Sequence, residues 1–212
     1  MTPRKVAAAY VGALGFDTVA TQSAVSAKAL YNAGMRFAVR YLGGISRDEV
    51  DIILNAKLAL QVVTYSRAPG WVPTAAMGDK DGAETVAFAK AAGVPTGATV
   101  WIDLEGPGGH AQDIIDWVNA KARVIRQAGY DPGLYVGYQT QLSSHELYQL
   151  GVDRYWHSLS RVTDSAGQIA EPTCGWCQYQ LYPTTHVVGY EVDLNIVQQD
   201  YSGRTPNWIL PG

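Results

Sequence analysis

At 212 residues the chain is long enough to bury a core of its own, and no run approaches the ~20 apolar residues of a membrane-spanning helix. Hydrophobic residues at 47 % with 17 % charged describe a folded chain and exclude a disordered one. A net charge of −3 with no basic run argues against a nucleic-acid partner, because phosphate neutralisation dominates that kind of binding.

The N-terminal stretch MTPRKVAAAYVGALGFD sets basic residues before small apolar ones, as a signal peptide does. Gly15-Phe16-Asp17, however, reads as the end of a first strand, GALGFD (12–17), so no export signal of the chain's own is expected. A helical pattern, SAVSAKALYNAG, follows and stops at Gly34, a residue suited to a helix end. RFAVRYL (36–42) is the second strand. The helix after it, SRDEVDIILNAKLA, opens with Ser46 and has Glu49 three residues on, the spacing of a capping box. LQVVTYS (60–66) precedes a Pro/Gly loop carrying Trp71 and the helical GDKDGAETVAFAKAAG. ATVWIDLE (98–105) leads through the flexible turn GPGGH into GHAQDIIDWVNAKARVIRQAG. GLYVGY (133–138) is followed by a shorter helical stretch, QLSSHELYQLG.

The pattern then changes. RYWHSLS (154–160), GWCQYQL (175–181) and EVDLNIV (191–197) are separated by RVTDSAGQIAEPT and YPTTHVVGY, whose Pro, Gly and β-branched residues carry no helical stripe. Strands alternating with helices predict an α/β architecture with parallel pairing. Five βα units followed by three strands without helices fit a single TIM-like barrel, one domain over residues 1–212 with its core at about 12–197. An open doubly wound sheet is the alternative. It announces itself with a glycine-rich turn after the first strand, where this chain has DTVATQS.

Chemistry in parallel barrels sits at the C-terminal ends of the strands. Three strands deliver acids there: Asp17, then Asp103 with Glu105, then Asp193. Asp103 and Glu105 are two apart, so they share one face of their strand. Clustered carboxylates resist joint ionisation, so one of them is expected to keep a proton near neutral pH. A protonated acid beside a carboxylate is what glycoside hydrolysis uses. Arg40, Tyr65, Tyr138, Trp156, Gln178 and Asn195 are the other polar or aromatic residues at strand ends that are candidates to bind substrate. The three aromatics are as well explained by a core.

GFDTV, WIDLEG, GLYVGY and WCQYQ with GYEVDLNIV resemble, in order and spacing, the motifs of family 25 glycoside hydrolases, N-acetylmuramidases that cut peptidoglycan. FAVRYLGG (37–44) resembles more closely a sister group, glycoside-hydrolase-like domains of unknown function found in bacterial cell-surface proteins and phage lysins. The resemblance covers about residues 12–197 and implies a barrel of five βα units plus three strands. It implies Glu105 as general acid, Asp103 as the group that orients or stabilises the reacting centre, and Asp17 and Asp193 as the rest of an acidic floor. It further implies a peptidoglycan or related glycan as partner, a monomer, and action at the cell wall or outside the cell after synthesis in the cytoplasm. Arg40 departs from the lysozyme pattern and would either pair with an acid or hold an anionic group such as muramic lactate.

Two other functions compete. The same barrel could bind glycans without turnover, or a carboxylate cluster could hold a metal for phosphodiester hydrolysis, although it lacks the paired histidines or lysine for that transition state. No metal or cofactor is expected. Cys174 and Cys177 form a C-x-x-C before strand-like residues rather than at a helix start, and the four histidines show no metal spacing. Neither a redox pair nor a zinc site is read from them.

Overall fold

The computed structural model describes residues 4–158 and 171–212. Eight strands close into a barrel in chain order: β2 (Leu14–Asp17), β3 (Phe37–Tyr41), β4 (Ala59–Val63), β5 (Thr99–Leu104), β6 (Asp131–Val136), β7 (Arg154–Ser158), β8 (Gln178–Val187) and β9 (Tyr190–Val197). Pairing is parallel from β2 through β8. β9 is the exception. It runs antiparallel to both neighbours, closing the ring between β8 and β2. The all-parallel expectation is therefore corrected for the last strand. The reason is local: a two-residue turn, Val188-Gly189, with both residues at positive φ, folds β9 straight back onto β8.

Two short strands lie outside the predicted core. β1 (Lys5–Ala8) and β10 (Asn207–Leu210) pair antiparallel, and β10 also pairs with β4 at Ile209–Leu60. Trp208 of β10 packs against Phe37 and Tyr10, so this ribbon closes the base of the barrel, opposite the strand ends that carry the acids. Residues 5–8, which imitate a signal peptide in composition, are thus strand-forming.

Helices cover the outside: α1 (Ala24–Asn32), α2 (Arg47–Asn55), α3 (Ala75–Ala92), α4 (Ala111–Gln127) and the single turn α5 (Ser144–Leu147). Four of the five start where the sequence offers a cap: the Ser23, Ser46, Thr74 and Ser143 side chains accept backbone N–H groups of their first turns. The Ser46 box is only half formed, because the Glu49 carboxylate turns away to other partners. α3 and α4 pack tightly because Gly82 brings α3 against α4. A Cβ there would lie 2.8 Å from Val124 and 3.1 Å from the Lys121 carbonyl. The expectation that no helix separates β7 from β8 falls on residues 159–170, outside the described residues; β8 and β9 are joined by the turn alone.

The core has two parts. Ala38, Leu60, Val62, Val100, Ile102 and Leu104 face the helices, whereas Phe37, Val39, Val63, Trp101, Tyr135 and Trp156 fill the barrel. Inside, Trp101 Nε1 donates to Gln61 Oε1 at 2.6 Å, and Gln61 Nε2 donates to Gln178 Oε1 at 3.0 Å. These amides bond one another in a buried layer, and the acids lie one row above it.

Candidate active site

Residues alternate in and out along each strand, so the mouth is built from the last inward position of each. On β2 this is Asp17, on β3 Tyr41, on β5 Asp103 and just beyond it Glu105, on β6 Tyr135, and on β8 Gln180. β9 contributes Asn195 and Asp193, with Asp17 facing Asp193 across the pair. Asp193 is thus at the acidic rim from the first half of its strand, not from the C-terminal end. Running backward brings it there. A cavity of about 280 Å³ opens at this mouth, lined by Tyr41, Glu105, Tyr135, Gln180, Tyr182 and Asp193 among others.

A hydrogen-bond chain sets the floor. The Tyr135 hydroxyl donates to Gln180 Oε1 at 2.7 Å, and Gln180 Nε2 donates to Asp17 Oδ2 at 2.9 Å. Asn195 Nδ2 donates to the same oxygen at 2.7 Å. Asp193 is engaged separately by the Thr184 hydroxyl.

Electrostatics follow from burial. Asp17 is 3 % exposed, and desolvation pushes its carboxyl up to about 7 against the two hydrogen bonds it accepts; the charges of Asp193 and Glu105 push the same way. Asp103 is raised well above the ordinary carboxylate range, first by burial and then by Glu105. The proton that like-charge repulsion keeps in this cluster thus has buried Asp103 and Asp17 as its holders. The Tyr41 and Tyr135 phenols are also pushed up, by burial and by the surrounding acids. Both stay neutral donors at any working pH. Half-buried Glu105 lines the cavity, with the Tyr138 N–H 3.4 Å from its Oε1.

The other predicted residues divide. Asn195 is at the mouth. Tyr65 stands half exposed and stacked on Tyr41, with centroids 4.7 Å apart. Trp156 and Gln178 are buried one row lower, Trp156 against Trp101 and Tyr135, and belong to the barrel filling. Tyr138 brings its backbone N–H to Glu105 and does not line the cavity with its ring. Trp71 anchors its loop by donating to the Glu105 carbonyl at 3.1 Å.

Arg40 is not at the mouth. It alternates with inward-facing Val39 and Tyr41, so it points to the helices, where Nε meets Glu49 Oε1 at 2.7 Å and Nη1 reaches the Thr18 carbonyl. Glu49 also accepts the Gln22 N–H. The pair is buried and ties three elements together. Removing one partner strands the other charge, so Glu49→Ala is expected to lose about 3–5 kcal/mol in urea unfolding.

Sequence reasoning missed Tyr41 and Tyr135 as site residues; the alternation of their own strands would have placed them inward. Among the described residues no three His, Cys, Asp or Glu side chains stand close enough to hold a metal. Both cysteines are free, and burial pushes the Cys177 thiol up to about 12. What the mouth can do is hold a proton beside ionised carboxylates, the arrangement acid–base chemistry needs.

A family model described as "Rv2525c-like, glycoside hydrolase-like domain" matches residues 28–203. No curated protein is similar enough to count as a match. Among solved structures, an uncharacterized B. stearothermophilus protein superposes with a TM-score of 0.70 at 19 % identity, covering 88 % of this chain and 96 % of that one. The Mycobacterium tuberculosis Tat-secreted protein Rv2525c, in complex with L-tartrate, gives 0.68 at 18 % identity over 92 % and 99 % of the two chains. The bacterial lysozyme from Streptomyces coelicolor gives 0.58 at 16 % identity over 90 % and 94 %. At these identities the likeness is one of fold: the barrel is of the kind that glycoside hydrolase family 25 enzymes share.

Proposed function

This chain belongs to the Rv2525c-like, glycoside hydrolase-like domain family, and on that premise we propose that its mouth cleaves a β-1,4 bond of peptidoglycan or a related glycan. The observation that carries the reading is the gathering of Asp17, Asp103, Glu105 and Asp193 at one rim, two of them with carboxyls raised by burial. Glu105, the acid that opens to the cavity, passes a proton held by the buried carboxyls to the bridging oxygen as the bond to the sugar carbon breaks. Asp103 orients the reacting sugar and, when ionised, offsets the positive charge that develops on its ring. Water then adds to the sugar carbon and returns a proton to Glu105. Asp17 and Asp193 hold the floor, and Asn195, Gln180, Tyr41 and Tyr135 supply hydrogen bonds to hydroxyl groups. A peptidoglycan substrate places the protein's action at the cell wall.

The lysozyme-like fold of the S. coelicolor neighbour supports this reading by analogy alone. The test is incubation of the wild-type protein with purified peptidoglycan, followed for new reducing ends. Cleavage that survives a chelator supports the reading. Binding to the same material without new reducing ends overturns it in favour of a carbohydrate-binding barrel.

Gly137 gives a finer check on Glu105. A Cβ at this position would fall 2.5 Å from Glu105 Cγ and Oε1. Gly137→Ala is expected to displace that carboxyl and lower turnover by up to about 10²-fold, since a misplacement of 1 Å costs that much. Equal rates for the two proteins would mean that the position of Glu105 is immaterial.

A further inference from the structure

Asp103 has a second neighbourhood, behind the barrel wall. β4 ends at Val63, opposite Trp101, while β5 runs on to Leu104. Past this point the wall has no strand partner on that side, and a cavity of about 300 Å³ lies there, between the loop after β4, α3 and α4. Asp103 lines it, together with Thr64, Arg67, Asp81, Trp117 and Lys121. Asp103 Oδ1 is buried and has no hydrogen-bond partner among the described residues.

Lys121 is buried on α4, an uncommon place for an ammonium. Its Nζ donates to Thr64 Oγ1 at 3.1 Å and stands 4.9 Å over the Trp117 ring. The same Thr64 oxygen accepts the Asp103 N–H, also at 3.1 Å. One hydroxyl therefore joins the helix lysine to the backbone of the mouth acid. Of the other acids near Lys121, Asp81 is already engaged by Arg67 at 2.6 Å and by Trp117 Nε1 at 2.9 Å.

We propose that Lys121 is a positioning residue for Asp103: through the shared Thr64 hydroxyl and through its charge behind the wall, it fixes Asp103 in place and offsets the acids that crowd it. The consequence for turnover rests on the glycosidase reading above; the coupling itself does not.

The charges facing each partner give the direction. Asp103 sees Glu105 on its own strand and Asp17 on β2, both of which favour its protonated form, and Lys121 on α4, which opposes them. Lys121 sees Asp81 and Glu84 on α3 and Asp103 on β5, which hold its proton, and Arg67 on the loop, which repels it. Burial outweighs these and brings Lys121 down to about 8. Its charge is thus present at neutral pH and lost just above it.

The experiment follows the Asp103 carboxyl carbon and the Lys121 side chain by NMR across a pH titration of the isotope-labelled full chain. In the wild type the Asp103 signal is expected to show a step near pH 8, coincident with loss of the Lys121 proton. In Lys121→Met that step disappears and Asp103 titrates at higher pH than in the wild type. In Lys121→Arg the step also disappears but Asp103 does not move up, because the guanidinium stays charged. A wild-type Asp103 signal that stays flat while Lys121 titrates overturns the proposal, and so does a Met variant with the wild-type Asp103 midpoint. If Lys121→Met does not fold, the wild-type step decides alone. A lysine that served packing only would lower stability without moving this titration. None of these readouts requires turnover, so absence of peptidoglycan cleavage would sink the glycosidase reading and leave this result unaffected.

Discussion

Glu105→Gln is expected to lower glycan cleavage by about 10²–10⁴-fold, the usual contribution of a general acid, while leaving thermal stability unchanged or slightly raised. The amide keeps the volume and reach of the carboxyl but has no proton to give to the leaving oxygen. Stability should not fall, because Glu105 opens to the cavity and its charge repels those that Asp103 and Asp17 form on ionising. Removing the charge relieves that repulsion. The midpoint of Asp103 should move down in the same variant, since Glu105 is the first charge that raises it. Cleavage at the wild-type rate by the Gln variant would show that Glu105 is not the acid.

Asp17→Asn is expected to raise stability at pH 8 and to flatten its dependence on pH between about 4 and 7. The folded-state value of about 7 lies above the ordinary 3.8, so the folded chain binds a proton that the unfolded chain has released. The stabilisation is complete below about 4 and is lost as pH rises through about 7. A shift of this size in a buried group is worth on the order of 4 kcal/mol. In the variant, the asparagine oxygen can accept the same Asn195 and Gln180 amides, and no charge has to form. Urea unfolding of both proteins at pH 4, 6 and 8 measures the difference. A variant less stable than wild type at pH 8 would contradict the buried-charge account. At such a site function is retained at a cost in stability, a trade familiar in enzymes.

The barrel and its acids were legible because two periods and their interruptions are written in the chain. Apolar runs of strand length alternate with capped amphipathic segments, and three of the four acids stand at the ends of those runs. Other features depended on direction, which spacing alone does not carry. Asp193 reaches the rim because β9 is reversed, and only the register with β2 reveals that. Arg40 was readable in principle, since Phe37, Val39 and Tyr41 claim the inward positions of its strand. Trp156 and Gln178 were assigned to the right face but the wrong height, because a strand's polar residue does not state how deep the barrel filling extends. Lys121 lies in the middle of an amphipathic helix, where a lysine ordinarily means solvent. Only the packing of α4 over the end of β4 turns it toward Thr64.

The placement of β9 also bears on the order in which the molecule can assemble. Asp17 lies on the first barrel strand and its partner Asn195 on the last, 178 residues apart along the chain. Every carboxylate pair that spans this seam forms only when the ring shuts, so no intermediate lacking β9 contains the complete site. Such an intermediate leaves the edges of β2 and β8 without partners, open to another chain. Contacts this distant in sequence make closure slow relative to the local βα pairings. The chain completes its carboxylate cluster in the same late step that removes its risk of edge-to-edge association.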